Sequence, residues 1–424
     1  MGIKIRLILM NALQFGVWGA YLTSMGTFLA RVGMAEQIWL FFAMQGIVSI
    51  FMPALMGIVA DRWVPAQRLL SLCHAVAGVF MIVAGGYAML AGESLHFAPF
   101  FTLYSVSVAF YMPTLALSNS VAFYALEHSN LDPVRHFPSI RVFGTIGFIC
   151  SMLAVNFLKN AQGLQFQNSY EQFYLSGVLS LVLCLYVLTL PHCPCKRQPH
   201  NTFADAAGFS AFRLFKERRF AIFFVFSMFL GASLQITNGY ANPFITHFKQ
   251  LPEFAGTWGA NNANALISLS QISETLCILL IPFFLRRYGI KKVMLISMVA
   301  WVFRFGLFSL GDPGSRVWML ILSCVIYGVA FDFFNISGSI YVNESVGKEF
   351  RSSAQGLFML MTNGLGASLG TWGAGLVVNH YVYQSQPADW DAAWLIFALY
   401  ALLVAVFFAI FFKDNKDPKS TSLL

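Results

Sequence analysis

Long apolar runs alternate with short polar stretches along nearly the whole chain. A helix needs roughly 20 apolar residues to cross the hydrocarbon core of a bilayer, which is about 30 Å thick. Twelve runs approach or exceed that length, at approximately 7–30, 37–60, 69–91, 97–126, 139–158, 172–190, 220–246, 258–285, 293–311, 317–342, 353–379 and 391–412. The pattern predicts an all-α membrane protein with twelve transmembrane helices.

Composition agrees with this prediction. Of the 424 residues, 58% are hydrophobic and only 10% are charged, whereas soluble domains carry roughly a quarter charged residues. Lys4 and Arg6 precede the first run, as in a signal peptide. That run is too long for a signal peptide and no small-residue cleavage site closes it, so we expect it to remain as the first helix.

The basic residues predict the orientation. Of the 26 Lys and Arg residues, 20 fall in loops or termini on one side of the twelve predicted helices. Four fall on the other side: Arg31, Lys159, Lys249 and Arg316. Basic loops stay in the cytoplasm, so both termini are predicted to be cytoplasmic. The net charge of +8 thus reflects membrane topology, and no nucleic-acid partner is expected.

The chain divides near its middle, where 191–219 is the longest polar stretch and has six runs on either side. The two halves also repeat a basic turn after their second run, "MGIVADRWVPAQR" at 56–68 and "FFLRRYGIKKV" at 283–293. Such repeats are typical of transporters with a binding site where two helical bundles meet. We predict an N-terminal six-helix bundle (1–190), a cytoplasmic linker (191–219), and a C-terminal six-helix bundle with a short cytoplasmic tail (220–424).

The first of these turns contains Asp61, Arg62 and Arg68. It resembles the loop motif of the major facilitator superfamily, in which a short charged loop joins the second and third helices. One interpretation is a gating latch at the cytoplasmic ends of the bundles. The other is a positive-inside anchor with a turn. We favour the latch because Asp61 is an acid in an otherwise basic loop.

Five histidine, basic or acidic side chains lie within the predicted helices and away from their ends: His74, Arg141, Glu274, Arg304 and Asp332. Intramembrane charges are costly and each is a functional hypothesis. For His74 we expect a hydrogen-bonded core histidine. For Arg304, in the ninth run, we expect a structural pair or a side chain that snorkels to the membrane surface.

Polar and aromatic residues recur at helical spacing on the fifth, seventh, eighth and tenth runs, and residues three or four apart share a helix face. They are Arg141, Thr145 and Phe148; Gln235 and Asn238; Gln271 and Glu274; and Tyr327, Phe331, Asp332 and Asn335. A single intramembrane amide often only joins helices. Four amides together with an arginine and two acids favour a ligand site.

The same residues suggest the ligand and a mechanism. Amides offer donors and acceptors, and aromatic faces suit the stacking of a planar base. A phosphorylated ligand would need more basic groups, and a sugar would need fewer amides. The charges of Arg141, Glu274 and Asp332 sum to −1, and a buried unpaired carboxylate tends to take up a proton. Asp332 or Glu274 is therefore a candidate proton carrier, with Arg141 as partner of the other acid; we favour Asp332.

Eight stretches resemble the bacterial nucleoside:proton symporters of the major facilitator superfamily, of the nucleoside permease and xanthosine permease type. They are "FMPALMGIVADRW", "YMPTLALSNS", "FPSIRVFGTIGF", "LQITN", "SQISETL", "IPFFLRRYGIKKVM", "AFDFFNISGS" and "SAQGLFMLMTNG". The resemblance implies uptake of purine and pyrimidine nucleosides with protons, by alternating access, across the bacterial inner membrane. It places the family's nucleoside site on Arg141, Thr145, Phe148, Gln235, Asn238, Gln271, Glu274, Tyr327, Phe331 and Asp332.

We expect a monomer with no cofactor and no metal site. Two other functions are compatible with the residues alone. One is a proton-coupled sugar or oligosaccharide symporter of the same superfamily. The other is a membrane scaffold or receptor that moves no solute. An intramembrane enzyme is not expected, because no Ser/His or metal-ligand pair at usable spacing lies in the predicted helices.

Overall fold

The computed structural model describes residues 2–195, 209–347 and 351–412. Part of the predicted linker (191–219) and all of the tail after residue 412 lie outside the described residues. Within those ranges the chain is almost entirely helical, and no extended strand is present. This follows from the composition, because a helix satisfies all backbone hydrogen bonds within one segment and can therefore cross a bilayer.

Fourteen α-helices are described in the three ranges. They are α1 (Ile3–Gly19), α2 (Met25–Arg31), α3 (Ile38–Arg62), α4 (Ala66–Ala91), α5 (Phe97–His128), α6 (Pro133–Phe157), α7 (Glu171–Val187), α8 (Arg218–His247), α9 (Trp258–Asn261), α10 (Ala263–Leu310), α11 (Val317–Ser345), α12 (Arg351–Met359), α13 (Ala367–Val378) and α14 (Trp390–Phe411). A π-helical turn, Leu360–Gly366, joins α12 to α13.

These helices account for the twelve predicted spans. Eight helices in the described ranges are long and apolar enough by themselves to cross a membrane. One of them, α10, is 48 residues long and contains two spans, because Gly289 (φ 76°) breaks the helical backbone between them. The first span is divided between α1 and α2, the eleventh between α12 and α13, and the sixth is the 17-residue helix α7.

The chain forms two compact units. The first unit comprises the described residues within Met1–Ala207 together with Ile236–Ser268, and the second comprises those within Gly208–Gln235 and Leu269–Leu424. Our three-part division at 190 and 219 stays a prediction.

Each unit has its own apolar core. In the first unit α4 packs against both α5 and α7, and α1 packs along α6. Its core includes Leu7, Leu70 and Val121, which are fully buried. A smaller core in the second unit contains Val293 and Phe333.

Candidate functional site

In the first unit the predicted residues of α6 face α1. The guanidinium carbon of Arg141 lies 3.8 Å from the ring centroid of Phe15, a distance typical of a cation–π contact. Two turns further on, the buried Phe148 meets Trp18 edge to face at 6.3 Å. Thr145 lies between them and is half-buried. The structure therefore brings Arg141, Thr145 and Phe148 together along the seam with α1.

Glycine makes this seam possible. A Cβ atom at Gly144 would lie 2.6 Å from Cδ2 of Phe15 and 2.8 Å from Nη1 of Arg141. One turn on, a Cβ at Gly147 would collide with the backbone of Ala12. The two glycines let α6 approach α1 closely, and the approach sets the position of the Arg141 side chain.

A chain of hydrogen-bonded side chains starts from Trp18 of α1. Trp18 donates to the Gln45 side chain (3.3 Å), and Gln45 donates to the Tyr104 hydroxyl (2.9 Å). Farther along, the two ring nitrogens of His74 are bonded to Gln14 (2.8 Å) and Ser180 (2.9 Å). His74 is fully buried, so the prediction of a hydrogen-bonded core histidine is confirmed.

The predicted pair on α8 is divided between the units. Asn238 is half-buried and belongs to the first unit, whereas Gln235 is buried and belongs to the second. The boundary between the two units crosses α8 within the single turn that separates these amides.

A further group of polar residues in the first unit was not singled out from the sequence. Thr27 donates to Asn242 (2.5 Å), Thr23 donates to Asn264 (2.8 Å), and Asn242 donates to the same Asn264 oxygen (2.7 Å). Asn156 also donates to the Asn262 side chain (2.9 Å). We call these six residues the amide–hydroxyl network. It ties the end of α8 and the start of α10 to the segment from α1 to α2 and to α6.

The second unit gathers the predicted residues of α10 and α11. Tyr327 and Phe331 stack with centroids 5.9 Å apart and planes inclined by 13°. The Tyr327 hydroxyl is hydrogen-bonded to Gln271 and lies in the electrostatic field of Glu274 and Asp332. Asp332 is only 3% exposed, and Glu274 is half-buried. An aromatic pair, an amide and two acids therefore share one neighbourhood.

The two helices that carry this cluster approach closely. A Cβ at Gly328 would lie 2.5 Å from the Ser273 carbonyl oxygen, and the Ser273 hydroxyl donates to the Val325 carbonyl. The contact joins the residues next to Tyr327 and Glu274 in the chain. It fixes the helix positions from which the predicted side chains project.

Arg304 also belongs to this cluster. Its guanidinium carbon lies 4.6 Å from the Tyr327 ring centroid, and the residue is fully buried. Of the two predicted alternatives, a side chain that snorkels to the membrane surface is therefore wrong, whereas a structural pairing agrees with the hydrogen bond from Arg304 to the Ser323 carbonyl. The sequence signal was present, since Arg304 stands in an apolar run, but the sequence does not show the direction in which the side chain points.

The predicted latch lies at a helix junction. Asp61 and Arg62 end α3, and Arg68 lies in the first turn of α4. Asp61 lines a cavity of about 420 Å³ together with Glu127 and Cys193, while both arginines are exposed. Burial raises the pKa of the Cys193 thiol to about 11, and this outweighs the lowering of the pKa by the Gln67 backbone N–H. The Cys193 thiol is therefore protonated near neutral pH.

Comparison with known proteins identifies the family. The family model described as "Nucleoside H+ symporter" matches residues 1–417. The nucleoside permease NupG of Escherichia coli (strain K12) is 44% identical over 417 residues, which cover 97% of this chain and 96% of the relative. The xanthosine permease of the same organism is 44% identical over 429 residues, covering 99% and 98%.

Solved structures agree. The crystal structure of the nucleoside transporter NupG aligns with a TM-score of 0.87 at 43% identity, covering 98% of this chain and 100% of that one. A D-xylose-proton symporter aligns with a TM-score of 0.68 at 16% identity, covering 97% and 98%, which supports the fold alone. The fold is that of the major facilitator superfamily, and the chain is a bacterial membrane transporter rather than an enzyme. This protein belongs to the nucleoside H+ symporter family.

Proposed function

We propose that this protein carries purine and pyrimidine nucleosides together with protons across the bacterial inner membrane by alternating access. We further propose that it works as a monomer with both termini in the cytoplasm. The observation that carries the proposal is the cluster in the second unit. It combines a stacked aromatic pair, Tyr327 and Phe331, with the Gln271 amide and the buried Asp332 carboxyl.

The uncharged side chains that we assign to nucleoside binding are mainly of two kinds, aromatic and amide. Tyr327, Phe331 and Phe148 offer flat faces on which any nucleobase stacks. Gln235, Asn238 and Gln271 present both donors and acceptors, which match the edges of a base and the ribose hydroxyls. Arg141 and Thr145 add a cation and a hydroxyl. Such a set binds an uncharged heterocycle better than a phosphorylated one.

The proton carrier we propose is Asp332. It is buried on α11 between Phe331 and Phe333, and an ionised carboxylate in such surroundings is stable only while its charge is compensated. Binding of a nucleoside next to it changes that compensation and allows a proton to bind. Glu274 is the alternative carrier, with a half-buried side chain one turn from Gln271.

We propose that Asp61, Arg62 and Arg68 form a cytoplasmic latch. Asp61 is half-buried at the end of α3 and lines a cavity, whereas a simple surface anchor would have no reason to place an acid there. The latch affects how fast the transporter changes conformation and not how tightly it binds nucleoside.

Uptake by proteoliposomes tests the function. Labelled uridine and labelled xanthosine should accumulate when an inward proton gradient is imposed, and should only equilibrate without it. Excess unlabelled nucleoside should block uptake, and mono- and disaccharides should not. A protein that accumulates sugars instead, or that moves no solute at all in liposomes, contradicts the proposal.

A further inference from the structure

Arg304 is the feature of the second unit that the nucleoside site described so far does not use. It projects from the second half of α10 and is fully buried. Its Nη1 donates to the Ser323 carbonyl oxygen (2.7 Å) and reaches the Ser270 hydroxyl at 3.4 Å. The Ser323 hydroxyl in turn donates to the Arg304 carbonyl (2.9 Å). These reciprocal bonds join the second half of α10 to α11.

Such a residue is expensive to keep. A buried guanidinium must be compensated, and replacing buried ion pairs with apolar residues is often neutral or stabilising. Two serines would join the helices without the charge. The charge itself therefore needs an explanation, and the surroundings of the guanidinium offer one.

The guanidinium lies against the aromatic part of the site. Its central carbon is 4.6 Å from the Tyr327 ring centroid and 5.1 Å from that of Phe308. Tyr327 also meets Trp301 edge to face at 6.0 Å and stacks with Phe331. A cation against a desolvated aromatic ring favours one ring orientation, and the bonds to Ser323 prevent the guanidinium from turning away.

We propose that Arg304 is a positioning residue for nucleoside binding, which acts by holding the Tyr327 ring in the orientation that receives the base. It does not touch the ligand itself. The inference rests on the proposed function, because Tyr327 is assigned to the nucleoside site there. It also gives the second unit a fixed positive charge that acts on the same tyrosine as Glu274 and Asp332.

A double-mutant cycle on the full-length protein tests this, with uridine binding measured by calorimetry. Arg304→Gln should weaken binding roughly 3- to 30-fold. In a Tyr327→Leu background the same change should alter affinity by less than about twofold, because residues that act as a unit are not additive. The matched control is Phe408→Leu, which removes a buried ring that packs against Phe226 and Phe412 and should leave affinity unchanged while lowering the melting temperature.

Two results would overturn the inference. One is wild-type affinity in Arg304→Gln while Tyr327→Leu binds weakly. The other is a double variant whose loss equals the product of the two single losses, which is the behaviour of a merely structural residue. If Arg304→Gln does not fold, the cycle is run with Arg304→Lys, which keeps the charge but not the flat group, and the same criterion applies.

If the proposed function itself is wrong, the binding measurements give a different result. In that case the wild-type protein binds neither uridine nor xanthosine, and the inference falls with it. If the wild type binds and Tyr327→Leu weakens binding, the site assignment stands and the Arg304 cycle decides the inference alone.

Discussion

The amide–hydroxyl network of the first unit and the charged cluster of the second unit are both buried and polar, but they differ in chemistry. In the network, threonine hydroxyls donate to asparagine side chains, and none of these groups changes its charge near neutral pH. In the cluster, the charges of Glu274, Arg304 and Asp332 all act on the Tyr327 hydroxyl.

The contrast has a physical consequence. A neutral network contributes specific geometry at any pH, whereas the energy of the charged cluster changes whenever a proton or a ligand binds. We propose that the first unit's network holds structure and that the second unit's cluster serves coupling. The predictions below test that difference.

Asp332→Asn should have the largest effect. The amide keeps the shape of the side chain but cannot carry a proton, so accumulation of uridine against its gradient should be abolished while exchange of nucleoside across the membrane persists. Uptake and counterflow in the same proteoliposomes measure the two activities. Glu274→Gln is the matched variant: if it alone loses accumulation, Glu274 is the carrier, and if both variants still accumulate uridine, neither acid is.

The three amides come next. Changing Gln235, Asn238 or Gln271 to Ala should weaken uridine binding by about 1–3 kcal/mol, because each lost hydrogen bond leaves its partner unsatisfied. Calorimetry gives the affinities. The control is Gln355→Ala, which removes the hydrogen bonds to Ser339 outside the predicted site; wild-type affinity in all three site variants would refute the assignment.

Gly144→Ala should disturb the first unit's part of the site without changing any charge. The added methyl must displace Phe15 and the Arg141 guanidinium, at a cost of about 1–3 kcal/mol, and affinity for uridine should fall with stability. Gly306→Ala is the control, because its Cβ would meet no atom within 4 Å. Equal affinity in the two variants would show that the position of Arg141 does not matter for binding.

Asn264→Ala should affect stability and not affinity. It removes the acceptor shared by Thr23 and Asn242, at a cost of about 1–3 kcal/mol. The loss should be equal at pH 6 and pH 8, because the network carries no charge. A strongly pH-dependent loss of melting temperature would mean that this region is coupled to a titrating group.

Asp61→Asn should have the smallest effect on binding of all. Uridine affinity should stay at the wild-type value while initial uptake slows several-fold, since the latch influences conformational change alone. Arg68→Gln in the same loop should behave in the same way. Normal uptake rates in both variants would leave the loop as an anchor.

The sequence predicted the fold well because twelve apolar runs leave a bilayer-spanning chain few alternatives. It also predicted that Tyr327 and Phe331 are neighbours, which their stacking confirms, since helical spacing within one helix fixes which residues lie on the same face. Arg304 shows where this reasoning fails. Spacing does not reveal which way a helix faces its neighbours, so it does not show that Arg304 points toward Tyr327.

Arg304 also changes the charge count. With Arg304 omitted, the remaining intramembrane charges sum to −1, and one acid lacks a counter-charge. With Arg304 included, the four groups sum to zero when ionised. We therefore propose that proton binding arises from a change in compensation at the site, and not from a permanent excess of negative charge. Threonines and asparagines of the network were missed because, one at a time, such residues are common in helices that only pack together.

The account is tested most directly by proton movement driven by the substrate. In proteoliposomes with no imposed gradient, adding uridine outside should raise the external pH as protons enter with the nucleoside, and a pH-sensitive dye outside the vesicles reports the change. The wild type should show this signal, and Asp332→Asn, in vesicles preloaded with unlabelled uridine, should take up labelled uridine by exchange without it. Uridine entry in the wild type with no change in external pH would contradict proton coupling by the charged cluster of the second unit.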